Sequence, residues 1–127
     1  MNKRVLIVED HHDTSFTLCK LLKVEGYEVD HAIDGVAGYK TAKDHHPDLV
    51  VTDVQMPRLN GIEMIKMFRQ DADLHDTPIL VMSAYGRRVI DDAMQAGASA
   101  YIEKPLDMNK FLTTVKEMLP PTSAASV

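Results

Sequence analysis

The sequence predicts a doubly wound α/β fold, one parallel five-stranded sheet with helices on both faces. Three observations lead there. Continuous apolar runs at 5–8, 49–51 and 79–82 have the pattern of strands covered on both sides. Segments with helical apolar spacing lie between them. Polar groups capable of chemistry stand where the runs stop: Glu9-Asp10, Asp53, Ser83 and, after Tyr101-Ile102, Lys104. The carboxyl ends of parallel strands open onto one crevice, where such sheets bind ligands.

The elements follow in order. Val5-Leu6-Ile7-Val8 is the first strand, and a helix is expected from Ser15 to Glu25, capped by Asp13 or Thr14 and closed by Gly26. Within it Cys19, Phe16 and Leu22 form an apolar face. Tyr27 to Ala32 alternates, as an edge strand does. A helix over Val36 to His45 is followed by Pro47, whose missing N–H does no harm there, and by the strand at 49–51. Gly61 to Asp71 has helical spacing, and Met56, Met64 and Met67 with Ile62, Ile65 and Phe68 read as core and helix-surface packing. Pro78 leads into the strand at 79–82, Arg87 to Ala96 is the fourth helix, and Gly97 is its left-handed stop. Tyr101-Ile102 is a short last strand. Asp107 then caps a helix to Leu119, with Phe111, Leu112, Val115, Met118 and Leu119 on one stripe. Residues 1–119 form one domain without internal repeats, and Pro120 to Val127, with almost nothing to bury, is expected to be disordered.

Composition narrows the function. A chain of 127 residues, 45% apolar and 26% charged, suits a single globular domain. Its net charge of -5 and lack of Lys or Arg runs argue against a nucleic-acid surface. Cys19 is alone, so no internal disulfide forms. The basic start Met1-Asn2-Lys3-Arg4 is followed by an apolar run that ends at Glu9, too short for a signal peptide, and no window spans a bilayer. A soluble cytoplasmic protein, without direct nucleic-acid or membrane contact, is expected.

The strand-end groups suit a divalent cation and a phosphoryl group. Two carboxylates about 4 Å apart repel by roughly 4 kcal/mol at an effective dielectric near 20. Three of them need a proton or a cation among them, and a hard cation with oxygen ligands is the natural occupant. Lys104 alone neutralises one charge.

These residues carry a resemblance. From about Lys3 to Leu119 the chain resembles a response-regulator receiver domain of two-component signalling, of the chemotaxis-regulator kind. The matching pieces are Val8-Glu9-Asp10, then Asp53-Val54-Gln55-Met56-Pro57-Arg58-Leu59-Asn60-Gly61, then Ser83-Ala84, then Tyr101-Ile102-Glu103-Lys104-Pro105. The resemblance implies the flavodoxin-like strand order 2-1-3-4-5. It further implies that Asp53 accepts a phosphoryl group from phosphohistidine on a histidine kinase or histidine phosphotransfer protein. Glu9, Asp10, Asp53 and the Gln55 carbonyl would hold Mg²⁺, while Ser83 and Lys104 would each meet a phosphoryl oxygen. Ala84 gives the phosphoryl group room. Roughly 5% of X–Pro bonds in folded proteins are cis, so the residues alone predict trans at Lys104-Pro105, whereas the resemblance implies cis.

Two positions depart from the commoner family pattern. Glu9 stands where an aspartate is usual; its extra methylene moves the carboxylate outward, leaving direct or water-mediated metal contact open, while Asp10 binds directly. Ser83 stands where threonine is frequent, keeping the hydroxyl without the methyl that packs during switching. In the family an aromatic side chain on the last strand turns inward as that hydroxyl moves, and Tyr101 matches it. The output face is then Arg87, Arg88, Asp91, Gln95, Tyr101 and Lys110, on helix 4, strand 5 and helix 5, and it would meet a downstream protein. Phe16 or Leu18 on the first helix is expected to be exposed for the kinase partner. Gln55 can orient a hydrolytic water and Tyr85 can shield the phosphorus, so the phosphoryl lifetime stays open. A monomer is expected, with dimerisation on phosphorylation left open, as is excision from a larger regulator.

Other readings are weaker. His11, His12, His45 and His46 are adjacent pairs, and sequence neighbours rarely point at one ion. A haloacid-dehalogenase-like aspartyl-phosphate phosphatase would need an acid where Gln55 stands. A flavodoxin-like flavin binder would need a phosphate-cradling loop after the first strand, where Glu9-Asp10-His11-His12-Asp13 has no glycine.

Overall fold

The computed structural model describes residues 2–54, 60–84 and 86–120. Gln55, Met56, Tyr85 and the tail from 121 to 127 lie outside them. Strand and helix alternate throughout: β1 (Arg4–Val8), α1 (His12–Val24), β2 (Glu28–Ala32), α2 (Gly35–His45), β3 (Leu49–Asp53), α3 (Gly61–Gln70), β4 (Ile79–Ser83), α4 (Arg87–Ala96), β5 (Ala100–Glu103) and α5 (Met108–Met118). The sheet order is β2-β1-β3-β4-β5 and every pairing is parallel, as expected.

Alternation within the central strands builds two cores. Leu6, Val8, Val50, Ile79 and Val81 face α2, α3 and α4, where Ala42, Met64, Ile65, Phe68 and Ala93 meet them. Val5, Ile7, Leu49, Val51, Leu80 and Met82 face α1 and α5, against Leu18, Leu22, Phe111 and Val115. Both faces are covered, which is why these strands read as continuous apolar runs. β2 is an edge, and its Glu28 and His31 are exposed. Among the described residues no helix is long and apolar enough to cross a membrane.

The punctuation is mostly where the sequence puts it. Gly26 and Gly97 have φ of +99° and +123°, and Asp107 accepts from the Asn109 and Lys110 amides. Arg69 on α3 fixes the entry to β4 by donating to the carbonyls of Gly97, His75 and Thr77 at 2.7–2.9 Å.

One expectation is corrected. The N-cap of α1 is His11, with extended backbone and no side-chain cap bond, not Asp13 or Thr14. The helix starts at His12, ahead of the first apolar residue, so Asp13 and Thr14 lie in its first turn, where an acid suits the helix dipole. Of the two first-helix residues expected to offer an exposed apolar side chain, Phe16 does so at 69% exposure, while Leu18 is fully buried in the α1/α5 core.

Candidate functional site

Three strand ends build the site. β1 and β3 run side by side with Val8 opposite Thr52, so Glu9-Asp10 and Asp53 leave the sheet together. β4 lies next, ending in Ser83, and the Lys104 amide donates to the Ser83 carbonyl at 2.8 Å, anchoring the β5–α5 turn beside it. The Lys104-Pro105 peptide is cis, as the resemblance implies. Residues far apart in sequence thus line one cavity of about 400 Å³: Glu9, Asp10, His11, Thr14, Asp53, Ala84 and Lys104.

Charge within it is crowded. Lys104 Nζ lies 2.7 Å from Asp53 Oδ2 and 3.3 Å from Glu9 Oε1. Burial opposes the charge on Lys104, but the Asp53 hydrogen bond and both acids outweigh it, so its pKa is raised. One ammonium does not balance the acids. Carboxylate oxygens of Glu9, Asp10 and Asp53 all lie within 4.8 Å of one another. Burial first, then the hydrogen bond and charge of Asp53, push Glu9 up to about 7.

Glu9 differs from its sequence expectation. Its carboxylate is not displaced outward: the residue is 1% exposed and reaches across to Lys104, while Asp10 is exposed. The longer arm brings the acid to the ammonium, which offsets part of its desolvation. Its other oxygen, Oε2, is buried without a hydrogen-bond partner. A buried carboxylate oxygen lacking a donor, beside two more carboxylates, is what a hard divalent cation would satisfy. The donor set therefore fits Mg²⁺. Among the described residues no histidine joins this group. His11 and Thr14 line the cavity, neighbours that strand-end reasoning alone does not find.

Residues 5–116 match the family model for the response regulator receiver domain. The chain belongs to that family. This receiver is 32% identical over 120 residues to the polar-differentiation response regulator DivK of Brucella ovis, covering 94% of the chain and 98% of the relative. Among solved structures, it resembles the chemotaxis response regulator CheY4 of Vibrio cholerae (TM-score 0.88, 28% identity, 94% and 100% of the two chains). It equally resembles a putative response regulator from Chloroflexus aurantiacus (TM-score 0.89, 29% identity, 94% and 98% covered). The receiver's place is therefore in two-component signalling.

Of the residues singled out from sequence, the receiver brings Glu9, Asp10, Asp53, Ala84 and Lys104 around one cavity. Ser83 is 1% exposed at the adjoining strand end. Tyr101 lies away on β5, 37% exposed, where Arg87 Nη1 donates to its hydroxyl at 2.9 Å and the guanidinium stands 5.6 Å from the ring centroid. Pro105 is exposed beside Lys104. Gln55 and Tyr85 are outside the described residues.

Proposed function

We propose that residues 1–119 act as a phosphoacceptor module in which Asp53 takes a phosphoryl group from phosphohistidine on a histidine kinase or histidine phosphotransfer protein. An Asp53 oxygen forms a bond to phosphorus as the donor's phosphorus–nitrogen bond breaks, and the nitrogen keeps the electron pair. The observation that carries this reading is Asp53 itself, 7% exposed at a strand end and 2.7 Å from Lys104 Nζ inside a cavity.

Phosphoryl transfer is mostly positioning and charge stabilisation. Lys104, paired with Asp53 before transfer, follows the negative charge onto a phosphoryl oxygen. Ser83 donates its hydroxyl to another, and Ala84 leaves space. Glu9, Asp10, Asp53 and the Gln55 carbonyl are the groups that would hold Mg²⁺, which supplies countercharge to the phosphoryl oxygens. The module catalyses its own phosphorylation and dephosphorylation and turns over no separate substrate. Its setting is the cytoplasm.

The switch proposed is Tyr101, which turns inward as Ser83 moves toward the phosphoryl group and so alters the face of α4, β5 and α5 offered to a downstream protein. Arg87, Arg88, Asp91, Gln95, Tyr101 and Lys110 are all exposed on that face. Arg87 holds the ring outward through its hydrogen bond and its stacking. Arg87→Ala is therefore expected to raise the inward population of the unphosphorylated protein roughly severalfold. Fluorine NMR of fluorotyrosine-labelled protein reads that ratio, and an unchanged spectrum counts against the latch.

Incubation with acetyl phosphate and Mg²⁺ followed by intact-mass measurement tests the central step. A gain of one phosphate, absent in Asp53→Asn, is the expected result. Phosphate that persists in the mutant would place the acceptor elsewhere.

A further inference from the structure

We infer that His31 is a positioning residue that fixes the peptide between Glu9 and Asp10, and with it the geometry of the acidic pair; the inference rests on the metal-site reading above. β1 stops pairing at Val8, which faces Ala32 on β2 and Thr52 on β3. Beyond that point the chain must carry two acids that repel each other and Asp53. Backbone pairing supplies one restraint: the Glu9 amide donates to the Ala32 carbonyl at 3.0 Å. The second comes from a side chain. His31 Nε2 lies 2.8 Å from the Glu9 carbonyl oxygen. A carbonyl only accepts, so Nε2 carries the proton.

The two bonds act on different peptide planes. The Glu9 N–H belongs to the Val8–Glu9 peptide and the Glu9 carbonyl to the Glu9–Asp10 peptide. With both held from β2, rotation about either side of the Glu9 Cα is restrained, and the direction of its side chain is set. That direction puts Glu9 at 1% exposure, 3.3 Å from Lys104 Nζ. The same peptide carries the Asp10 amide, so His31 also sets where Asp10 starts. Asp10 is exposed, with no packing around it comparable to that around Glu9. Partners one step behind a metal's ligands orient them in this way, and their loss typically weakens metal affinity about 10–100-fold.

His31 is itself exposed on an edge strand, so its removal leaves no core cavity. The test compares wild type, His31→Ala and His31→Gln as isotope-labelled full chains. In metal-free protein, the Asp10 amide resonance should move in His31→Ala and its order parameter should fall below about 0.6. His31→Gln, whose amide reaches about as far as Nε2, should restore both. Magnesium titration by calorimetry should show roughly tenfold weaker uptake in His31→Ala and recovery in His31→Gln. An unmoved Asp10 amide, or unchanged Mg²⁺ affinity beside a moved one, overturns the role of His31. Wild type that takes up no Mg²⁺ overturns the metal-site reading instead, and the Asp10 amide then decides the case of His31 alone.

Discussion

Metal-free protein carrying Glu9→Gln is expected to be more stable than wild type near pH 8 by about 3 kcal/mol, roughly 10 °C in melting temperature, with the difference vanishing toward pH 4.5. Burial and the neighbouring Asp53 raise the Glu9 pKa from 4.5 to about 7. Unfolded chains release this proton near 4.5, while the folded protein keeps it until about 7. Between those values the folded state binds more protons, so stability falls as pH rises. The penalty is absent below the window and complete above it. Gln has no proton to lose and removes the slope.

Magnesium should reverse the sign of that cost. At the proposed metal site a cation would compete with the Glu9 proton, so Mg²⁺ uptake should strengthen from about pH 5 to about pH 8. The melting temperature gained on adding Mg²⁺ should grow over the same range and shrink in Glu9→Gln. Asp71 does not confuse the measurement. The Tyr39 hydrogen bond, first among several causes, holds Asp71 down to about 2, so its stabilising effect is lost only as pH falls from 3.8 toward that value. Thermal melts in chelator over the Glu9 window give the answer. A wild-type curve that tracks Glu9→Gln at every pH would mean that Glu9 is not destabilised by its burial.

The features legible in the sequence are those that depend on local chemistry. Val5 to Val8, Leu49 to Val51 and Ile79 to Met82 identify themselves as central strands because nothing but a two-sided core tolerates such runs. Asp107, Gly26 and Gly97 mark helix ends because their side chains, or the lack of one, act on the adjacent backbone. Asp34 and Asn60 do the same for α2 and α3, accepting from the Ala37 and Glu63 amides, and Asn60 with Glu63 has the spacing of a capping box. That signal is purely local and stands in the sequence. The depth and direction of Glu9 were not available, because they depend on Lys104 arriving from the far end of the chain. His31 is similar: on an alternating edge strand it reads as an exposed polar residue, and only the β1–β2 register brings its ring to the Glu9 carbonyl. α1 starts ahead of the point that apolar spacing predicts because its first turn is polar and the apolar residues begin later.

Gly61→Ala is expected to lower stability by about 3 kcal/mol and to impair phosphoryl uptake as well. Helix propensity alone gives the opposite sign, since alanine inside a helix is favoured over glycine by about 1 kcal/mol. Contact decides the matter. A Cβ at this position would clash with the Asp53 carbonyl oxygen and stand 3.0 Å from Val54 Cα. Both are backbone atoms, so no side-chain rotation relieves the clash. The Gly61 amide donates to the Val54 carbonyl at 2.9 Å, and Asn60 caps the helix one residue earlier. α3 therefore begins directly against the end of β3, the strand that presents Asp53. Either the helix retreats, loosening Met64, Ile65 and Phe68 in the core, or the strand end yields and carries Asp53 away from Lys104. Gly26 is the control, because its added Cβ meets nothing within 4 Å and only its positive φ resists substitution. Gly26→Ala should cost about 1 kcal/mol and leave phosphorylation at its wild-type rate. Denaturant melts and intact-mass phosphorylation of the two variants separate the outcomes. If Gly61→Ala behaved like Gly26→Ala in both assays, the close approach of α3 to the end of β3 would not be what holds Asp53 in place.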